Sequence, residues 1–248
     1  MSHNLSSGSQ LPQSGPDRPL FIPIKRRSFF MYAGATAGAT ALVLAGCKKD
    51  DNNYPAVTDV GTGDFGVLNY AYALEQLEAA FYAQVLTSSY FTGSTATTAD
   101  KQVFNDLALH EKIHADFFKT ALGTNAIKAL TPDFSKIDFT TRSGVLAAAM
   151  AFEDLGVSAY NGAAKYIVTV DYLTLAGKIV SVEARHAALI RDMITYNNFV
   201  GIQSGTTFTS DILDPTTRME IAKTPAQVLA VANTFLAEGS RVSANSFV

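Results

Sequence analysis

Apolar residues return every three or four positions through four long stretches of this chain, which predicts four amphipathic helices. The first covers about residues 64–88: Leu68, Ala71, Tyr72, Glu75, Ala79 and Tyr82 share one face, with Leu74, Leu77, Phe81 and Val85 beside them. A Ser/Thr/Gly-rich loop follows from Thr87 to Thr98. The second helix starts near Thr98-Ala99-Asp100, which supplies capping residues, and ends at Gly123. Its inward face is Phe104, Leu107, Glu111, His114 and Phe118. Residues 124–140 contain Thr131-Pro132-Asp133 and no helical period, which reads as a long connection. The third helix is expected over about 141–168, with Leu146, Ala149, Glu153, Gly156, Tyr160 and Ala164 in one stripe. The fourth covers about 171–198 and aligns Ile179, Glu183, His186 and Ile190. A Gly/Thr/Asp/Pro loop region (199–224) and a short helix (about 225–237) close the chain. Apart from the region of Phe208, period-two alternation is scarce. The expected fold is all-α: a four-helix bundle with a long crossover between helices two and three and a short C-terminal helix.

The polar residues on these apolar stripes carry the chemistry. Glu111-Lys112-Ile113-His114 and Glu183-Ala184-Arg185-His186 are both Glu-x-x-His. On a helix, residues three apart project from one face, so each motif aims a carboxylate and an imidazole at one point. Each motif also follows a helix with a Glu seven residues before a Tyr, Glu75 before Tyr82 and Glu153 before Tyr160. Any one of these taken alone reads as a solvated Glu or a core His. All six in register read as the ligand set of a dinuclear carboxylate bundle. Four carboxylates in an apolar interior are very costly unless cations neutralise them, and two divalent ions match four carboxylates. Oxygen-rich ligands with one imidazole per metal favour Fe or Mn over Zn or Cu. Glu111 and Glu183 suit the bridging places, with Glu75 and Glu153 outside. Glu78 competes with Glu75 for the place on helix one. The internal repeat selects Glu75, because Gly156 stands where helix three would carry the counterpart of Glu78. Tyr82 and Tyr160 either hydrogen-bond the ligands or pack between helices.

The segments LNYAYALEQLEAAFY (68–82), HEKIHADFF (110–118), FEDLGVSAYNGAA (152–164) and VEARHAALIRDMI (182–194) resemble the ferritin-like superfamily. The likeness is to the broad group that includes desiccation-related proteins, and it covers roughly residues 60–200. It implies an up-down-down-up bundle of two pseudo-repeated hairpins. It also implies redox chemistry at iron or manganese with dioxygen or peroxide. The alternative function is a non-catalytic envelope or stress protein that retains the bundle. A further pattern, His110-Glu111-x-x-His114, fits a zinc protease with Glu111 as the base. That reading requires neighbouring strands and leaves the second Glu-x-x-His unexplained.

The N-terminus reads as an address. Residues 1–24 are polar and aperiodic; Lys25-Arg26-Arg27-Ser28-Phe29-Phe30 then precedes an uncharged run from Met31 to Gly46. That run is short and rich in Ala and Gly, which is weak for a membrane span. Arg26-Arg27-Ser28-Phe29 looks like a twin-arginine signal. Leu44-Ala45-Gly46-Cys47 resembles a bacterial lipobox, with Cys47, the one cysteine, as the lipid attachment site. The Lys48-Lys49-Asp50-Asp51-Asn52-Asn53 run after it weakly resembles a surface-export signal of some Bacteroidetes lipoproteins. The expected organisation is a signal region (1–46), a flexible tether (47–62), the bundle (63–198) and a C-terminal loop and helix extension (199–248). The expected partners are the twin-arginine export machinery, a membrane reached through the lipid at Cys47, and dioxygen or peroxide. The expected location is periplasmic or outer-membrane, beyond the bacterial cytoplasmic membrane. A net charge of −3 and no Lys/Arg stripe argue against nucleic acid. The oligomeric state is open.

Overall fold

The computed structural model describes residues 57–201, 212–214, 216–217 and 219–246. Four long helices form the body: α1 (Gly63–Thr87), α2 (Thr98–Leu122), α3 (Arg142–Ala163) and α4 (Val170–Ile194). A short α5 (Pro225–Ala232) follows. The family of folds expected from the sequence is the one observed. α1 packs most extensively on α2, and α3 on α4, giving two hairpins.

Side-chain contacts fix the helix directions. Tyr82 meets Phe104, and the Asn69 amide reaches the Asn125 carbonyl, so α1 and α2 run antiparallel. Arg142 at the start of α3 binds Asp100 at the start of α2 through two nitrogens at 3.0 and 3.1 Å, and the Met193 carbonyl near the end of α4. α2 and α3 are therefore parallel and α4 runs back, which is the up-down-down-up order. Asp64 in the first turn of α1 accepts from the Val168 and Thr169 backbone N–H groups, tying the starts of α1 and α4 together.

Local sequence explains the helix limits. Thr97 and Asp100 form a reciprocal capping box on α2, and Thr224 with Gln227 does the same on α5, where Pro225 opens the helix. Gly123 ends α2 at a φ of +55°, a conformation that L side chains rarely adopt. The expected loop over 87–98 contains a helical turn, Ser89–Thr92, started by the Ser88 hydroxyl accepting from Phe91 N–H. Helix three ends at Ala163 rather than near 168, passing into a 3-10 turn at Ala164–Tyr166. Helix four ends at Ile194 rather than near 198. The helix expected to run to 237 is helical to Ala232 and then makes a 3-10 turn, Asn233–Phe235.

The crossover is stitched down despite its lack of helix. Asn69 donates to Val60 and Asn125 carbonyls and accepts from Ile127 N–H, and Gln76 accepts from Leu130 N–H. β1 (Thr58–Asp59) pairs in parallel with β2 (Val242–Ser243), and Val60 beside it is buried. Residues 58–60 of the tether expected over 47–62 are therefore held against the rest of the fold. Residues 47–56, and with them Cys47, lie outside the described residues. Among the described residues no helix is long and apolar enough to cross a membrane.

Gly162 sits where the C-terminal segment crosses α3. A Cβ there would stand 1.7 Å from the Lys223 carbonyl oxygen, while Lys223 N–H bonds the Ser158 carbonyl at 3.0 Å. Gly162→Ala is expected to push this segment off α3 and cost about 1–3 kcal/mol, the usual range for overpacking. Chemical denaturation of both proteins measures it. An unchanged midpoint would mean that the segment does not bear on α3.

Candidate metal centre

The six residues read from the motifs converge between the four helices. Glu75, Glu111, Glu153 and Glu183 are fully buried, and His114 and His186 nearly so. Each reaches the centre because it occupies the apolar stripe of its own helix. Two groups form. Glu75, Glu111, His114 and Glu183 bring one ligand atom each within 4.8 Å of the others, and so do Glu111, Glu153, Glu183 and His186.

Glu111 and Glu183 belong to both groups, and each divides its oxygens between them. His114 Nδ1 lies 3.4 Å from Glu111 Oε2 and 2.8 Å from Glu183 Oε1. His186 Nδ1 lies 2.7 Å from Glu111 Oε1 and 3.5 Å from Glu183 Oε2. The outer carboxylates serve one group each: Glu75 Oε2 is 3.3 Å from His114 Nδ1, and Glu153 Oε2 is 3.6 Å from His186 Nδ1.

The other oxygen of each outer carboxylate is held by a tyrosine from the opposite hairpin. Tyr82 donates to Glu153 Oε1 at 2.5 Å, and Tyr160 donates to Glu75 Oε1. The crossing follows from α1 and α3 running antiparallel, which sets residue 75 against 160 and 82 against 153. Burial and the neighbouring carboxylates push both phenols well above their usual range, so both remain donors.

Eight buried atoms face the centre without a hydrogen-bond partner: Glu75 Oε2, both oxygens of Glu111 and of Glu183, Glu153 Oε2, and Nδ1 of His114 and His186. The close nitrogen–oxygen approaches lack hydrogen-bond geometry, so these atoms face shared space. Unpaired buried acceptors cost about 1–3 kcal/mol each, and more when charged. Divalent cations satisfy all eight atoms at once. The donor set fits metal ions by chemistry as well as by placement.

Without metal, protons carry the neutralising charge. Burial pushes the Glu75 and Glu153 carboxyls up to about 8. For Glu111 burial acts in the same direction, but the His114 and His186 imidazoles beside it outweigh it and bring the group to about 2. Burial pulls both imidazoles down, and the surrounding carboxylates more than reverse this, holding each at about 12.

Two residues depart from the simple picture. Glu75 and Glu78 are both buried, and of the two Glu75 belongs to a ligand group. Glu78 lies in the notch left by Gly156, where a Cβ would stand 3.0 Å from Glu78 Oε1. Burial, then the fields of Glu183, Glu111, Glu75 and Glu153, push its carboxyl well above the usual range. Sequence reasoning treated the missing counterpart at Gly156 as evidence against Glu78, whereas that glycine makes its room. His110 stands outside both groups, yet its Nδ1 lies 3.0 Å from His186 Nε2. Its i, i+4 relation to His114 was the available signal, because that spacing shares a helix face.

No curated protein matches the chain significantly. The family described as the ferritin-like domain matches residues 63–196, which takes in all four long helices and every residue of both groups. The chain belongs to the ferritin-like domain family.

Proposed function

We propose that this protein is an exported dinuclear iron or manganese carboxylate protein that reacts with dioxygen or peroxide. The observation that carries the reading is the set of eight unpaired buried ligand atoms arranged as two groups sharing two carboxylates. Glu75, Glu111, His114 and Glu183 would hold one ion, and Glu111, Glu153, Glu183 and His186 the other. When bound, the pair supplies one electron per ion to the oxygen species. The chain's own residues prepare the place for this. Tyr82 and Tyr160 fix the outer carboxylates, so the free oxygen of each points inward. Full burial of four carboxylates excludes bulk water and keeps the electrostatics strong. Glu111 and Glu183 would each lend an oxygen to both positions. His110 lies outside both groups and Glu111 is enclosed among ligand atoms, which favours this reading over the zinc-protease pattern. Anaerobic loading of the metal-free protein with ferrous iron, followed by oxygen or peroxide, tests it. Uptake of two ions and rapid oxidant consumption are expected. A protein that takes up iron but consumes no oxidant would favour the non-catalytic envelope or stress role.

The N-terminal sequence supports export through the twin-arginine route to the periplasm or outer membrane, with lipid at Cys47, while the segments 68–82, 110–118, 152–164 and 182–194 support a place in the desiccation-related group. That route carries folded proteins, and metal binding is coupled to folding. Closing the bundle in the cytoplasm would let the cell choose the metal. Arg26→Lys with Arg27→Lys is expected to strand the precursor in the cytoplasm, as read by fractionation; normal export would reject the route. Cys47→Ala is expected to release the protein from membranes, and unchanged membrane association would remove the anchor.

A further inference from the structure

We infer that His110 orients His186 and makes the two metal positions unequal, a role that rests on the dinuclear reading above. His186 Nδ1 faces Glu111 Oε1 at 2.7 Å and Glu183 Oε2 at 3.5 Å, inside the second group. A nitrogen that binds a metal ion carries no proton, so the ring proton belongs on Nε2. Nε2 is the atom that lies 3.0 Å from His110 Nδ1. His186 Nε2–H therefore donates to His110 Nδ1, and His110 carries its own proton on Nε2.

The partnership has no counterpart in the other half. Aligning Glu111 with Glu183 places His110 opposite Val182, and a valine side chain accepts no proton. The His110 ring also lies near His114, centroid to centroid 4.7 Å, but the nitrogen contact is made with His186. A hydrogen bond to the far nitrogen of a ligating imidazole fixes its tautomer and rotation and raises its basicity. The position built on His186 is thus the tighter and more rigid of the two. His110 is half-buried while His186 is nearly fully buried, so a protein group and not solvent meets the ligand's far nitrogen.

The test uses Co²⁺ as probe on the full-length protein, His110→Leu and His110→Asn. Asn places an amide oxygen close to where His Nδ1 stood, so it keeps an acceptor; Leu removes it. Wild-type protein is expected to bind two Co²⁺ with unequal affinities. It should also show a slowly exchanging, paramagnetically shifted ring N–H proton from His186. His110→Leu is expected to weaken the tighter position by about 10- to 100-fold, the usual effect of losing such a partner. It should also make that N–H exchange rapidly. His110→Asn is expected to restore both. Wild-type affinities at both positions and an unchanged N–H signal in His110→Leu overturn this inference while leaving the metal centre standing. Wild-type protein that takes up no Co²⁺ overturns both. Loss without rescue by Asn would show that the imidazole fills space and does not act as an acceptor.

Discussion

Glu111→Ala and Glu183→Ala are each expected to abolish tight binding at both metal positions. Each carboxylate gives one oxygen to the His114 side and the other to the His186 side. Removing either one therefore strips a ligand from both groups and leaves two divalent ions facing each other with less negative charge between them. Glu75→Ala and Glu153→Ala each remove a ligand from one group alone. Those variants are expected to keep one tight position and lose the other. Calorimetric titration with ferrous iron under argon separates the cases by stoichiometry. A ligand bound only to the folded state at 1,000 times its Kd stabilises by about 4 kcal/mol. The Glu111 and Glu183 variants should lose that gain entirely, and the melting temperature with and without metal should coincide. Two tight ions remaining in Glu111→Ala would rule out the sharing of carboxylates.

Metal removal is expected to reverse how stability depends on pH. In the metal-free protein, Glu75 and Glu153 sit at about 8, above their ordinary value of 4.5. Their neutral forms stabilise the folded state fully below the ordinary value, and this is lost as pH rises through about 8. His114 and His186 sit at about 12, above 6.5, so their contribution is also complete at low pH and lost as pH rises. Glu111, at about 2, acts the other way: its contribution is present above 4.5 and lost as pH falls toward that value. The metal-free protein should therefore be most stable near pH 4.5 and weaken as pH rises from there to about 8. Metal ions displace these protons, so their affinity rises over the same interval. The difference in melting temperature between loaded and metal-free protein is expected to widen from about pH 4.5 to about pH 8. A difference that stays constant would mean that the ligands do not exchange protons for metal.

What could be read from the sequence was whatever depends on residues close together in the chain. The 3.6-residue period marked the four helices. The Glu-x-x-His spacing aimed Glu111 with His114 and Glu183 with His186, because three residues on a helix share a face. The repeat of Glu seven residues before Tyr placed Glu75 and Glu153. What escaped depends on how helices meet. The crossed hydrogen bonds, Tyr82 to Glu153 and Tyr160 to Glu75, exist because α1 and α3 are antiparallel. Glu78 is buried because a glycine on another helix leaves space for its carboxyl. His110 meets His186 across 76 residues of chain. The pinning of Thr58–Asp59 depends on a strand at Val242–Ser243, which no local pattern announces. Helix three ended early, one residue past Gly162, through a 3-10 turn that satisfies Ile167 N–H.

Two ions sharing Glu111 and Glu183 inside the bundle should survive purification of the protein from its native export route without chelators. Metal analysis of that protein is expected to find two iron or manganese ions per chain, falling to none in Glu111→Ala and Glu183→Ala. A wild-type chain that carries no metal, and that takes up none when offered ferrous or manganous ions without oxygen, would contradict it.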